Sequence, residues 1–142
     1  MNLKGKNVLV TGAGGFIGSH LVDALLGKGA EVTCFLKYNS RNDWGLLEEL
    51  PEDKKKIINV ISGDIRDSEI VRHAAKNMDA IFHLAALTGI PYSYTNPKEN
   101  VMTNVMGTYN VMQAALDNGV KKIMHTSTSE VYGTPDSIPI TE

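Results

Sequence analysis

Three glycines at three-residue intervals, Gly12, Gly15 and Gly18, fall in the stretch from Asn7 to Gly18, where a short apolar run breaks into glycines and opens onto a helical pattern. That arrangement can hold phosphate. Gly12 permits a tight turn off a strand, Gly15 lets the backbone approach a pyrophosphate, and Gly18 lets the next helix lie close to the sheet. The helix start then aims unpaired N–H groups at the anion. The spacing is a variant of the commoner GxGxxG fingerprint, and Gly14, Phe16 and Ile17 belong to the same loop and helix start. A strand-to-helix turn with no ligand is the rival reading. A carboxylate can serve as a general base, and Glu130 is the only acid in TSTSEVYG, just after the last apolar run. Cations stand elsewhere: Lys37 and Arg41, with Asn39 and Ser40 between them, could pair with a phosphate by charge-assisted hydrogen bonds or be solvated turn residues.

The elements that must position these groups alternate between strand and helix. Asn7–Thr11 reads as the first strand, and Phe16, Ile17, Leu21, Ala24 and Leu25 form one stripe of a helix ending near Gly27 to Gly29. Glu31–Leu36 is the second strand, and Trp44–Leu50 is a short helix that stops before Pro51. Ile57–Ile61 is the third strand, followed by GDIRD and a helix with the apolar face Ile70, Val71, Ala74, Ala75 and Met78. Ala80–Leu84 is the fourth strand. After a loop containing Pro91, a long helix runs from about Pro97 to Asn118, stopped by Gly119, and Lys122–Thr126 is the fifth strand. Such alternation predicts an α/β fold: a doubly wound parallel sheet in the order 3-2-1-4-5 with helices on both faces. Glu130 then lies at the carboxyl edge, where sheets of this kind seat their ligands.

Composition bounds the possibilities. At 142 residues and 42% apolar the chain suffices for one domain with a core, and a net charge of -2 gives no sign of nucleic acid or an anionic membrane as partner. The single cysteine, Cys34, has no internal disulfide partner, which fits a reducing compartment. No apolar run approaches the ~20 residues of a membrane span, and the first residues lack a signal-peptide core. The expectation is a soluble cytoplasmic protein. The four histidines and Cys34 show no metal-ligand spacing, so no metal is expected.

In order and spacing, TGAGGFIG, GDIRD, HLAA, NVMGT and TSTSEVYG resemble the extended short-chain dehydrogenase/reductases, the NAD(P)-dependent nucleotide-sugar epimerases, dehydratases and decarboxylases. FLKYNSRNDWG and HLAALTGIPYSY further resemble the 4,6-dehydratases that act on nucleotide-linked N-acetylglucosamine in legionaminic-acid-type pathways. The resemblance implies that a nicotinamide oxidises the sugar C4 hydroxyl, a base removes the C5 proton as water leaves C6, and hydride returns to C6. Glu130 matches that base. Thr128 matches a hydroxyl that bonds the reacting sugar, and Ser129 replaces the Asp that protonates the leaving C6 hydroxyl in many hexose dehydratases. Asp64 would accept from the adenine amino group, with Ile65 beside it, unless it is a helix cap. Leu84, Ala85 and Ala86 would pass close to the cofactor, and Asn104 would order the active-site region or bond a neighbouring backbone group. His83 carries no catalytic expectation. Nucleotide-glucuronate decarboxylases share TSTSEVYG and are the runner-up, 4-epimerases fit the acidic Glu130 less well, and a non-catalytic NAD(P)-binding module is the alternative outside enzymes.

The family's redox step uses a Tyr with a Lys four residues on, and here only Tyr94 and Lys98 have that spacing, with Pro97 between them. The resemblance therefore implies that residues 1–142 are the dinucleotide-binding part of a longer enzyme, inactive alone, with the Tyr/Lys helix and the sugar-binding region beyond. An NAD-selective site wants an acid at the end of the second strand, on the order of 20 residues past the glycine loop. Phe35, Leu36, Lys37 and Tyr38 stand there instead, which favours NADP slightly over NAD. The long helix has more apolar positions than one face needs, Val101 beside Met102 and Val111 beside Met112, and the resemblance implies a homodimer through it.

Overall fold

A computed structural model describes residues 2–140. Five parallel strands form one sheet in the order β3-β2-β1-β4-β5, as the alternation predicts. β1 (Asn7–Thr11) is the centre, pairing Val10 with Cys34 of β2 (Glu31–Lys37) on one side and with Phe82 of β4 (Ala80–His83) on the other. β3 (Asn59–Gly63) pairs β2, and β5 (Lys122–His125) pairs β4.

Because both faces of a parallel sheet are covered, its central strands are apolar at successive positions. Val8, Val10, Cys34 and Leu36 pack under α1 (Phe16–Gly27) with Val22, Leu25 and Leu47, and Leu9, Phe35 and Ile81 pack under the opposite helices with Val71, Val111 and Ala114. Those helices are α3 (Ser68–Ala74) and α6 (Gly107–Asp117). Asp67 caps α3, accepting from Glu69 N and Ile70 N. The capping role open to Asp64 belongs to Asp67.

Several elements differ from the sequence reading, which placed no helix at Glu52–Lys55 and no 3₁₀ turn at Ser129–Tyr132. β3 begins at Asn59 rather than Ile57, because the chain leaves α2 (Glu52–Lys55) through Lys56 and Ile57, and Ile57 stays exposed. The loop around Pro91 holds a short helix, α4 (Ile90–Thr95), in whose first turn a proline is tolerated. The long helix is continuous but not uniform. α5 (Pro97–Val101) runs through a π turn (Met102–Met106) into α6. Trp44–Leu50 contains a 3₁₀ helix, Gly45–Glu49. No helix among the described residues is long and apolar enough to cross a membrane.

Candidate functional site

The carboxyl ends of the strands border one cleft of about 850 Å³. β1 delivers the chain into it through Gly12, whose φ of +70° favours glycine and where a Cβ would meet Ala85 N at 2.8 Å. Gly18 closes the loop from the other side. A Cβ there would fall on the Gly12 carbonyl oxygen, so this glycine packs the helix against the loop itself rather than against the sheet. At Gly15, the residue before α1, an added Cβ would meet only Gly12 O, at 3.3 Å, leaving the cleft side of that backbone open. Steric room beside a helix N-terminus fits a pyrophosphate, with the Gly15 N–H itself donating to Gly12 O at 3.1 Å and the donors left to the start of α1.

The far wall is tied down by a chain of hydroxyls and an imidazole. Thr108 donates to Asn104 O at 2.6 Å, so its oxygen must accept from His83 Nε2, at 2.9 Å. Nδ1 of the neutral ring then accepts from the Thr11 hydroxyl at 2.7 Å, and Thr11 Oγ1 is left to accept from Leu84 N and Ala85 N, each at 3.2 Å. His83 is 1% exposed, and burial, followed by the charge of stacked His125, pushes its pKa down to about 4. The histidine is satisfied, as its strand position suggests, and it also holds the Leu84–Ala85 backbone through Thr11. Asn104 holds the next stretch, accepting from Leu87 N at 2.7 Å and donating to Leu87 O at 2.9 Å.

Of the residues singled out in the sequence, Gly12, Gly15, Phe16, Ile17, Gly18, Lys37, Asp64, Ile65, Leu84, Ala85, Ala86, Asn104, Thr128 and Glu130 line the cleft. Gly14, Asn39, Ser40, Arg41 and Ser129 do not. Gly14 packs against the Trp44 carbonyl and accepts from Leu46 N, so it seats the loop after β2. Asn39 is used inside that loop, accepting from Arg41 N and Asp43 N and donating to Asp43 O, and Arg41 pairs with Asp43. Asp64 lies in the cleft with its carboxylate bound to Arg66, which lowers its pKa. Thr128 accepts from Glu130 N at 3.3 Å and starts the turn that carries Glu130.

No tyrosine lines the cleft among the described residues, and Tyr94 is 83% exposed. No motif points to Glu99, which accepts from Tyr92 and Asn96 and faces Lys37 and Arg66. Its partners come from three segments: the end of β2, the turn after β3, and α4 with the Asn96 that ends it. The Thr11–His83–Thr108 chain was signalled only by polar residues in otherwise apolar segments.

The family model described as GDP-mannose 4,6 dehydratase matches residues 9–142. The chain belongs to this family. Its epimerase/dehydratase relatives include a dTDP-glucose 4,6-dehydratase of Streptomyces antibioticus, 39% identical over 90% of the chain and 39% of the relative. A UDP-N-acetyl-alpha-D-glucosaminuronate decarboxylase of Bacillus cytotoxicus is 38% identical over 90% of the chain and 38% of the relative. Among solved structures, the UDP-N-acetylglucosamine 4-epimerase of Methanobrevibacter ruminantium superposes with a TM-score of 0.84 at 35% identity, covering 98% of this chain and 43% of that one. A UDP-glucose-4-epimerase from Stenotrophomonas maltophila, solved with bound NAD, superposes with a TM-score of 0.83 at 29% identity, covering 95% and 40%. The chain thus spans about two fifths of the length of these epimerase/dehydratase relatives. The NADP preference read from the second strand finds no support here. The relative solved with a dinucleotide carries NAD, while Lys37 and Arg41 each face a carboxylate.

Proposed function

We propose that this chain is the dinucleotide-binding part of an NAD-dependent nucleotide-sugar 4,6-dehydratase acting on a nucleotide-linked N-acetylglucosamine. The observation that carries the reading is that Glu130 and Thr128 line the same cleft as the open backbone at Gly15. A carboxylate there can take a proton next to a ketone, a step that 4-epimerisation does not require. In this reading Gly15 and the start of α1 hold the pyrophosphate, and Asp64, with Ile65 beside it, receives the adenine. The bound nicotinamide supplies C4 oxidation and the later return of hydride to C6. Thr128 holds the C4 hydroxyl, and Glu130 removes the C5 proton. Ser129 does not line the cleft, and in this reading the acid for the C6 hydroxyl is water or another group.

Association belongs to the same proposal. Val101, Val105, Tyr109, Met112 and Leu116 form an exposed stripe along the 97–117 helix, with Leu116 at 75% exposure. A stripe at this helical spacing fits a second copy of the same helix. We read it as the homodimer face.

The test uses the protein expressed from its native gene, NAD and UDP-N-acetylglucosamine in deuterated water. A 4-keto-6-deoxy product carrying deuterium at C5, lost in Glu130→Gln, supports dehydration. A C4 epimer would overturn it, as would turnover of the corresponding uronate with release of carbon dioxide. The second reading, a non-catalytic binding module, is favoured by the lack of a tyrosine in the described cleft, and dinucleotide binding without any turnover would support it.

A further inference from the structure

β2 ends at Lys37 with no acid of its own, yet the end of that strand is not a free cationic patch. Glu99 reaches it from α5. Its Oε1 stands 3.9 Å from Lys37 Nζ and 3.8 Å from Arg66 NH1, and its Oε2 accepts from the Tyr92 hydroxyl at 2.6 Å and from Asn96 Nδ2 at 2.9 Å. Arg66 is in turn engaged by Asp64. Two cations and two carboxylates therefore balance at the end of β2, where Lys37 and Asp64 line the cleft and Arg66 and Glu99 stand beside them, and Arg41, the other cation nearby, is paired with Asp43.

We propose that Glu99 is the specificity-determining residue of the cofactor site, supplying from α5 the carboxylate that β2 lacks and so selecting an unphosphorylated ribose over a 2′-phosphorylated one. The inference rests on the reading that the cleft binds a nicotinamide dinucleotide, and it adds the residue that chooses between the two forms. The physical ground is charge. A 2′-phosphate brought to the end of β2 needs uncommitted cations for charge-assisted hydrogen bonds. Here it meets two that already face Glu99, along with the repulsion of Glu99 itself, which the low dielectric of a half-buried site screens less than water does. Glu99 is well suited to persist when ligand arrives, because its side chain is 24% exposed and the Tyr92 and Asn96 donors fix it independently of either cation. The sequence around β2 taken alone points the other way, since Lys37 and Arg41 look like a phosphate clamp until Glu99 and Asp43 are seen beside them.

The experiment titrates the native chain, Glu99→Gln, and Glu99→Gln with Lys37→Ala, using NAD and NADP separately. Glu99→Gln keeps an amide oxygen for Tyr92 and Asn96 and replaces the charged oxygen that faces Lys37 and Arg66 by a neutral amide nitrogen. The expected result is that the native chain prefers NAD, and that Glu99→Gln tightens NADP by about five- to tenfold, the scale of one partly screened charge interaction. NAD affinity should stay within about threefold of native, a change on the order of half a kcal/mol. Adding Lys37→Ala should then remove the gain in NADP affinity. Native binding of NAD with an unchanged NADP-to-NAD ratio in Glu99→Gln would overturn the role of Glu99 while leaving the cofactor reading intact. A native chain that binds NADP at least as tightly as NAD would also overturn it. If the native chain bound neither dinucleotide, the cofactor reading itself would fall and this inference with it.

Discussion

The side-chain amide of Asn104 pairs with both polar backbone atoms of Leu87, accepting from its N–H at 2.7 Å and donating to its carbonyl at 2.9 Å. Asn104 lies on the π turn and Leu87 in the loop after β4 that borders the cleft. Replacing Asn104 by Ala strands a partly buried N–H, which costs about 1–3 kcal/mol. Urea unfolding should show that loss, with weaker dinucleotide binding. Asn104→Asp keeps the acceptor and should cost less than Asn104→Ala.

Gly18 and Gly27 lie on the same helix and should respond in opposite ways to alanine. A Cβ at Gly18 overlaps the Gly12 carbonyl, a backbone atom that cannot move without opening the loop, so Gly18→Ala should destabilise by about 3 kcal/mol or more. At Gly27 an added Cβ meets nothing within 4 Å. Gly27→Ala should stabilise by up to about 1 kcal/mol through helix propensity. Thermal melts of the two variants check the contrast.

His83 predicts a pH dependence with a definite sign. Its pKa in the fold is about 4, depressed below the ordinary 6.5 by burial. The unfolded chain therefore binds the proton first, and stability that is intact above pH 6.5 is lost as the pH falls toward 4. The difference integrates to about 3 kcal/mol. Urea midpoints between pH 7 and pH 4 should fall accordingly, with His83→Gln flattening the slope. Nitrogen chemical shifts of the imidazole should show the Nε2–H tautomer at pH 7.

Association should depend on the exposed helix stripe. Val105 is 59% exposed at its centre, so Val105→Lys should cost the monomer little stability while shifting sedimentation toward monomer at micromolar concentration. A native protein that stays monomeric there would remove the dimer from the account.

Much of this architecture is legible in the sequence, because buried parallel strands read as uninterrupted apolar runs and the glycines are demanded by close backbone contacts. β3 was misplaced by two residues for a physical reason. It is an edge strand, and Ile57 is an exposed isoleucine that looks like a strand residue but is not paired. The segment around Pro91 reads as loop, yet a proline is compatible with the first turn of a helix, and α4 places Pro91 there. At the site, residues within a motif were easy to find and their directions were not. Gly14, next to cleft-lining Gly15, and Asn39, two residues past cleft-lining Lys37, spend their contacts on the loop after β2. Glu99 was missed because a charge acting on β2 arrives from a helix distant in sequence, and no local pattern records that meeting.

A cleft that holds a nicotinamide dinucleotide at Gly15 must bind NAD and must respond to a side chain placed there. Isothermal titration of the native chain and Gly15→Ala with NAD tests it most directly. A Cβ at Gly15 meets only Gly12 O, at 3.3 Å, a tight contact relieved by a small shift rather than the overlap at Gly18, so the variant should still fold, with a lowered melting temperature, while its methyl group crowds a loop that lines the cleft. The account predicts saturable NAD binding by the native chain and a loss of about tenfold or more in the variant, equivalent to ~1.4 kcal/mol. Absence of NAD binding by a folded native chain, or equal binding by Gly15→Ala, would contradict it.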